Sequence, residues 1–385
     1  MVILKKSTTI RHASTIECQA AVAWGKGKPL EIENIRVEPP ARGEVRIQLM
    51  SASICHTDLW VWSGGDMGMM APFPMILGHE GAGLVESVGE GVEHIKPGDK
   101  VVPCGLPYCG ECSICMHERG QGCTHFSRSD LLAKAKPRYW SGSQALHPLM
   151  SLGTFSEYVV VPSTQVAKVG DDTPLKKVAP LGCAVLTGWG AAEVVADVKE
   201  GSNVVVIGVG AVGLSTIMAC KEAGAKKIIA VDLSQQKLDI AKLCGATEGL
   251  LAAKDIGMTV KKLTGGGVDV AFECTGVEHV ISQAVDCVHP GWGEAVLVGC
   301  PPITTKMNIM ALPFILQGLT LKGSLMGGWK NSLTAIPKLM KGYMEKKVPD
   351  IDRLVTKEIR LDKINEAFMQ MQDQSCQELK IQINY

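Results

Sequence analysis

The chain has 385 residues, enough for two or more domains, and at 46% hydrophobic and 20% charged it can bury cores of ordinary globular size. Its 39 basic and 39 acidic residues balance, which argues against nucleic acid or an anionic membrane surface as a partner. No apolar run approaches the length of a membrane span.

The N-terminus, MVILKKSTTIRHASTIE, carries basic residues but no apolar signal core, and reads as a loose tail. Short strands are expected at 45–50, 84–88 and 101–103, separated by glycine and proline as in KPGDKV. This first part reads as an irregular, mostly β domain. Within it stands Cys109-x2-Cys112-x2-Cys115-x7-Cys123. Four thiolates so close together suit one tetrahedral metal, zinc or an iron–sulfur centre. An all-cysteine site is closed and structural, so chemistry would need further ligands elsewhere. Residues 124–150 show weak periodicity and read as loop.

The pattern changes near residue 185. Asn203–Ile207 is a continuous apolar run, the mark of a strand buried on both faces. Gly208-Val209-Gly210-Ala211-Val212-Gly213 follows, then a helical stretch to about Ala223 and a second strand at 227–231 ending on Asp232. Further strands are expected at 268–272, 294–298 and 319–322, with helices between. Alternation of this kind predicts a doubly wound parallel sheet. In the glycine string, Gly208 permits a tight turn, Gly210 lets the backbone approach a pyrophosphate, and Gly213 allows close helix–strand packing. A GxGxxG string alone is as often a simple tight turn. Asp232, 19 residues after Gly213, adds the carboxylate that accepts bonds from an adenosine ribose and repels a 2′-phosphate. Together they predict NAD. Lys237, a helical turn onward, is either a ribose contact or a solvated lysine. Residues 326–385 return to mixed patterning and are expected to fold back on the first domain.

The stretch Gly78-His79-Glu80-Gly81-Ala82-Gly83-Leu84-Val85-Glu86-Ser87-Val88-Gly89 is similar to the zinc signature GHE-x2-G-x5-G. With Cys55-His56-Thr57-Asp58 before it and Leu181-Gly182-Cys183 after it, nearly the whole chain resembles the zinc-dependent medium-chain alcohol dehydrogenases. The resemblance implies an α/β architecture, a GroES-like mostly β catalytic domain joined to a Rossmann domain. The domains implied are 1–184 with a structural zinc lobe at about 104–125, a NAD-binding unit at 185–325, and a return to the catalytic domain at 326–385. It implies two zinc ions per chain. Cys55, His79 and Cys183 would hold the catalytic one with the fourth position open, and Cys109, Cys112, Cys115 and Cys123 the structural one. Asp58 would orient His79, Glu80 would support or tune the site, and the Thr57 hydroxyl would relay the proton of an alcohol whose hydride passes to NAD.

Residues implied at the cofactor are His56, Thr187, Gly208, Gly210, Val212, Gly213, Asp232, Lys237, Thr275, Val298, Cys300, Met326 and Gln377. Gln377 would stand where relatives often carry an arginine near the pyrophosphate, and Trp60 where many carry the outer histidine of the proton relay. Thr57, Gly105, Cys300 and Leu325 would line the substrate pocket. Gly105 replaces a bulky aromatic of the ethanol-active members, so an enlarged pocket is expected, with bulky allylic, terpenoid or aromatic primary alcohols as substrates. Six of the 14 cysteines are then ligand candidates. The other eight (Cys18, Cys104, Cys220, Cys244, Cys274, Cys287, Cys300, Cys376) are expected to be small buried hydrophobes in a reducing cytoplasm. A homodimer formed through the cofactor domain is implied. The competing readings are a glutathione-dependent formaldehyde dehydrogenase-like enzyme, a reductase of the same fold, and a non-catalytic zinc and NADH-binding protein.

Overall fold

The computed structural model describes residues 14–65, 73–127, 136–345, 349–373 and 375–385. Most of the expected N-terminal tail lies outside the described residues. Three sheets organise the rest. A five-stranded closed barrel runs Ile16–Ala23, Glu31–Val37, Tyr139–Ser141, Gln144–Pro148 and Met75–Ile76. A seven-stranded sheet has Glu44–Ser53 at its centre, paired with Glu80–Val88, Tyr158–Pro162 and Lys380–Asn384. The pairing Gln382 with Ser53 brings the last residues of the chain into the first sheet.

The third sheet is six-stranded and parallel throughout. Its order is Glu248–Leu251, Lys227–Asp232, Asn203–Ile207, Val270–Glu273, Glu294–Leu297 and Thr320–Gly323. In chain order this is 3-2-1-4-5-6, the Rossmann order, and the switch point falls between Asn203–Ile207 and Val270–Glu273. Val204, Val205 and Val206 are fully buried, as an apolar run covered by helices on both faces should be.

Two expectations fail. Residues 124–150 are not simply loop: Thr124–Ser127 forms a 3-10 turn, and Tyr139–Ser141 with Gln144–Pro148 makes a hairpin that helps close the barrel. Strands of three and five residues are too short for alternation to show. Buried Tyr139 anchors the hairpin, its hydroxyl donating to the Val160 carbonyl and accepting from the Val160 N–H. The eight remaining cysteines also divide: Cys18, Cys104, Cys220, Cys244 and Cys287 are buried, Cys274 and Cys376 half-buried, and Cys300 exposed. Among the described residues no helix is long and apolar enough to cross a membrane.

Candidate metal centres and dinucleotide site

The four clustered cysteines point their sulfurs at one another. Cys109 and Cys115 lie 3.9 Å apart, as do Cys112 and Cys123, and all four sulfurs fall within 4.8 Å. Four sulfurs bound at about 2.3 Å in a tetrahedron would stand about 3.8 Å apart, so the set fits zinc. Backbone N–H groups already address these sulfurs, Cys112 N–H to Cys109 Sγ and Cys115 N–H to Cys112 Sγ, both at 3.4 Å. Hydrogen bonds from the Thr124 and Cys115 amides hold the Cys112 thiol down to about 5, while burial pushes Cys123 up to about 12.

A second group converges from three separate elements. Cys55 caps the helix His56–Trp62, His79 directly precedes the strand Glu80–Val88, and Cys183 caps the helix Ala184–Gly190. Their ligand atoms, with a Glu80 oxygen, all lie within 4.8 Å of one another. Asp58 joins two arms of the site: Oδ1 meets His79 Nδ1 at 2.8 Å and the Gly78 N–H at 3.1 Å, and Oδ2 accepts from the Cys55 N–H at 2.9 Å. A carboxylate on Nδ1 leaves Nε2 as the ligating nitrogen. Gly78 has φ +90, and a Cβ there would meet Thr154 Oγ1 at 2.6 Å, so the turn that presents His79 requires glycine. The Cys55 and Cys183 thiols share a hydrogen bond that pulls Cys55 well below its ordinary value and pushes Cys183 well above it. Two sulfurs competing for one proton, beside an imidazole, form a donor set that suits zinc.

Glu80 is buried under this group. Its oxygens meet Lys380 Nζ at 2.7 and 2.8 Å, accept the Ala184 N–H at 3.2 Å, and accept the Ser53 hydroxyl. Burial raises the Glu80 pKa against the pull of Lys380. Burial opposes charge on Lys380 in turn, but the charges at Cys55 and Glu80 raise its pKa on balance. Lys380 was not singled out from sequence: in the strand Lys380–Asn384 it falls on the polar side of an ordinary alternation, which carries no signal of burial.

The glycine turn has the form expected of a pyrophosphate cradle. Gly208 has φ +88; a Cβ on Gly213 would stand 2.0 Å from the Gly208 carbonyl oxygen; a Cβ on Gly210 would meet nothing within 4 Å. Gly210 therefore faces open space at the start of the helix Ala211–Glu222. Asp232 sits at its strand end, accepting from the Val209 N–H at 2.9 Å and the Ser234 N–H at 3.0 Å. Thr275 packs on Gly208, since its Cγ2 would lie 2.5 Å from a Cβ there. Val298 N–H bonds the Glu273 carbonyl, and the Cys300 backbone abuts Gly276, so Thr275, Val298 and Cys300 share the carboxyl edge of the sheet. The buried Thr187 hydroxyl has no partner among the described residues, which fits a hydroxyl reserved for a ligand. Val212 is half-buried on the first turn of the same helix, and Lys237 lies on the helix Gln235–Cys244.

Of three further placements, that of Gly105 differs from expectation. Gln377 accepts the hydroxyl of Ser234, whose N–H bonds Asp232, and donates to the Ser375 carbonyl at 2.8 Å. The cation of that C-terminal segment is Lys380. Gly105 does not open a void, because Met150 Cε lies 2.4 Å from where its Cβ would be and Met326 Cε 3.7 Å. Trp60 covers Gly65 and packs on the barrel core. Thr57 lies on the first turn after Cys55, half-buried, and His56 beside it is exposed. Leu325 is 36% exposed, its Cδ2 against Gly122.

Two converging donor sets and a dinucleotide cradle at the switch point define a zinc-binding oxidoreductase. Residues 41–171 match the family described as alcohol dehydrogenase GroES-like domain, and residues 211–341 that described as zinc-binding dehydrogenase. The structure is similar to that of an alcohol dehydrogenase zinc-binding domain protein from Burkholderia ambifaria, at 34% identity and TM-score 0.88, over 96% of this chain and 99% of that one. It is similar to benzyl alcohol dehydrogenase from Acinetobacter calcoaceticus, at 31% identity and TM-score 0.84, with the same coverage of 96% and 99%. 2R,3R-butanediol dehydrogenase from Bacillus subtilis follows at 28% identity and TM-score 0.75, again over 96% and 99%. The chain belongs to the zinc-dependent medium-chain alcohol dehydrogenase family.

Proposed function

We propose that the protein oxidises bulky primary alcohols, aromatic or allylic, to aldehydes with NAD as the acceptor. The observation that carries this is the convergence of Cys55, His79 and Cys183 within 4.8 Å, with Asp58 fixing the imidazole. Zinc and NAD, when bound, supply Lewis acidity and hydride acceptance. The chain's own part is positional. Asp58 holds His79 Nε2 toward the donor set, Thr57 offers a hydroxyl two residues from Cys55 for the alcohol proton, and the Gly208–Gly213 turn receives the pyrophosphate. Asp232 disfavours a 2′-phosphate and thereby favours NAD. Cys109, Cys112, Cys115 and Cys123 would hold a second, structural zinc.

Support for a bulky alcohol comes from Met150 and Met326, whose Cε atoms both reach the Gly105 position, since thioether side chains adapt to large apolar groups. The name of the benzyl alcohol dehydrogenase agrees with it. The edge strand Thr320–Gly323 and the exposed Leu312, Ile315 and Leu316 of the helix Ala311–Gln317 support a homodimer through the cofactor domain. Fourteen free cysteines fit a reducing cytoplasm.

The test is elemental analysis together with a panel of ethanol, cinnamyl and benzyl alcohols, each with NAD and NADP. Zinc at about two per chain, lost by about half in Cys55→Ala along with alcohol oxidation, is the expected result. Full oxidation by Cys55→Ala, or a higher kcat/KM for ethanol than for the aryl alcohols, defeats it.

A further inference from the structure

The four-cysteine lobe does more in this fold than hold itself together. Gln121, two residues before Cys123, reaches across to the segment after the edge strand Thr320–Gly323. Its Oε1 accepts the Leu325 N–H at 3.0 Å and its Nε2 addresses the Gly323 carbonyl at 3.4 Å. Its amide carbon stands 3.4 Å from where a Gly328 Cβ would be. Next to it, Gly122 leaves the space into which Leu325 Cδ2 fits, 2.9 Å from the position of its Cβ.

That segment needs an outside support. Met326, Gly327 and Gly328 have φ of 45, 84 and 69, three left-handed residues in succession, the first with a side chain that disfavours it. The segment's own backbone ties are the Ser324 N–H to the Leu297 carbonyl at 2.9 Å and the Gly328 N–H to the Leu325 carbonyl at 2.8 Å, while the buried Ser324 hydroxyl has no partner among the described residues. On its other side Gly327 presses on the Leu186 carbonyl, in the helix that starts after Cys183. Met326 Cε reaches the Gly105 position. The turn thus stands between the metal lobe, the Cys183 helix and the implied alcohol wall, and the lobe meets it through the Gln121 amide and the Gly122 backbone.

We infer that Gln121 is a positioning residue that fixes the Leu325–Met326 wall, so that the order of the four-cysteine lobe sets the selection for alcohol size. This rests on the proposed alcohol dehydrogenase reading for its kinetic consequence, but not for its structural one. Gln121 touches neither donor set, so its loss acts through the turn.

The experiment is hydrogen exchange across 320–329 in the full chain, for wild type, Gln121→Ala, Gln121→Glu and, as the metal-released protein, Cys112→Ser, which breaks the lobe's donor set and leaves Cys55, His79 and Cys183 unchanged, with kcat/KM for benzyl alcohol and ethanol measured on the first three. Exchange at the Leu325 amide should rise about fivefold or more in Gln121→Ala and in the metal-released protein, the factor corresponding to one lost hydrogen bond. Gln121→Glu keeps an acceptor for that amide and loses only the 3.4 Å donation to the Gly323 carbonyl, so its exchange should stay nearer to wild type than that of Gln121→Ala. The ratio of benzyl alcohol to ethanol kcat/KM should move by about threefold or more in Gln121→Ala, through KM, with zinc content unchanged. Unchanged exchange in Gln121→Ala, or changed exchange with an unmoved ratio, overturns the inference. Should Gln121→Ala not fold, the Cys112→Ser protein decides by the same exchange criterion. If wild type oxidises neither alcohol, the proposed function falls, while the exchange result still decides whether Gln121 holds the turn.

Discussion

Replacing Lys380 with methionine isolates the polar contact beneath the second donor set. The Lys380 and Glu80 side chains are 4% and 0% exposed and meet at 2.7 Å. Without the ammonium, the Glu80 carboxylate keeps the Ser53 hydroxyl and the Ala184 N–H at 3.2 Å, and no compensating charge of its own. Breaking a buried pair by deleting one partner costs about 3–5 kcal/mol. With a urea slope of about 3 kcal/mol/M for a chain of this size, the midpoint should fall by about 1–1.7 M. Replacing both partners, Glu80→Gln with Lys380→Met, removes the uncompensated charge and should recover more than half of that loss. The assay is urea unfolding followed by tryptophan fluorescence at fixed protein and zinc concentrations. A shift under about 0.3 M for Lys380→Met, or a double variant no better than the single, would refute the reasoning, because desolvation of an unpaired carboxylate is its whole basis.

Asp232→Ala should raise kcat/KM with NADP relative to NAD by about tenfold or more, since it removes the carboxylate that repels a 2′-phosphate; an unchanged ratio in a cofactor comparison counts against the assignment. Met150→Ala should enlarge the space beside Gly105 and raise the benzyl alcohol to ethanol ratio of kcat/KM by about tenfold, the value of one or two methylenes in an apolar pocket. A fall in that ratio would place Met150 outside the wall. Buried Glu273 has its carboxyl pKa raised, burial outweighing the hydrogen bonds from Thr275 and Gly276. A folded pKa above the unfolded one means that its contribution to stability is present at acid pH and is lost as pH rises from about 4.3 through the raised value. Urea midpoints of wild type and Glu273→Gln should therefore shift in favour of the glutamine variant as pH rises. A pH-independent difference would exclude that titration.

The parts of the site that could be read from the chain are those written contiguously. Cys109–Cys123 and Gly208–Gly213 each place their functional atoms within a single turn or lobe, so spacing alone constrains geometry. Asp232 adds one strand to that, and a strand has a predictable length. Cys55, His79 and Cys183 come from three elements and were reached through resemblance, because no local rule sets the distance between a helix cap near residue 55 and another near 183. Met150 lies in a 3-10 turn with φ 53, and nothing in its neighbours' periodicity shows that it fills the place left by Gly105.

Lys380 shows why the remainder was hidden. In Lys380–Asn384 the alternation is polar, apolar, polar, apolar, polar, which by period two describes one dry face and one wet face. Ile381 and Ile383 do enter the barrel-side core. Yet Lys380 and Gln382 are also buried, at 4% and 0% exposure, because this strand is interior to its sheet and the segment at Lys176 lies against it. The polar side chains point to partners instead of water: Lys380 to Glu80, and Gln382 to the Lys176 carbonyl. Alternation reports which side chains differ in polarity, and only the far end of the chain, 300 residues from Glu80, decides what the polar ones meet. A buried polar face looks like a solvated one until its partners are known, and at such a face the support of a metal site can be overlooked.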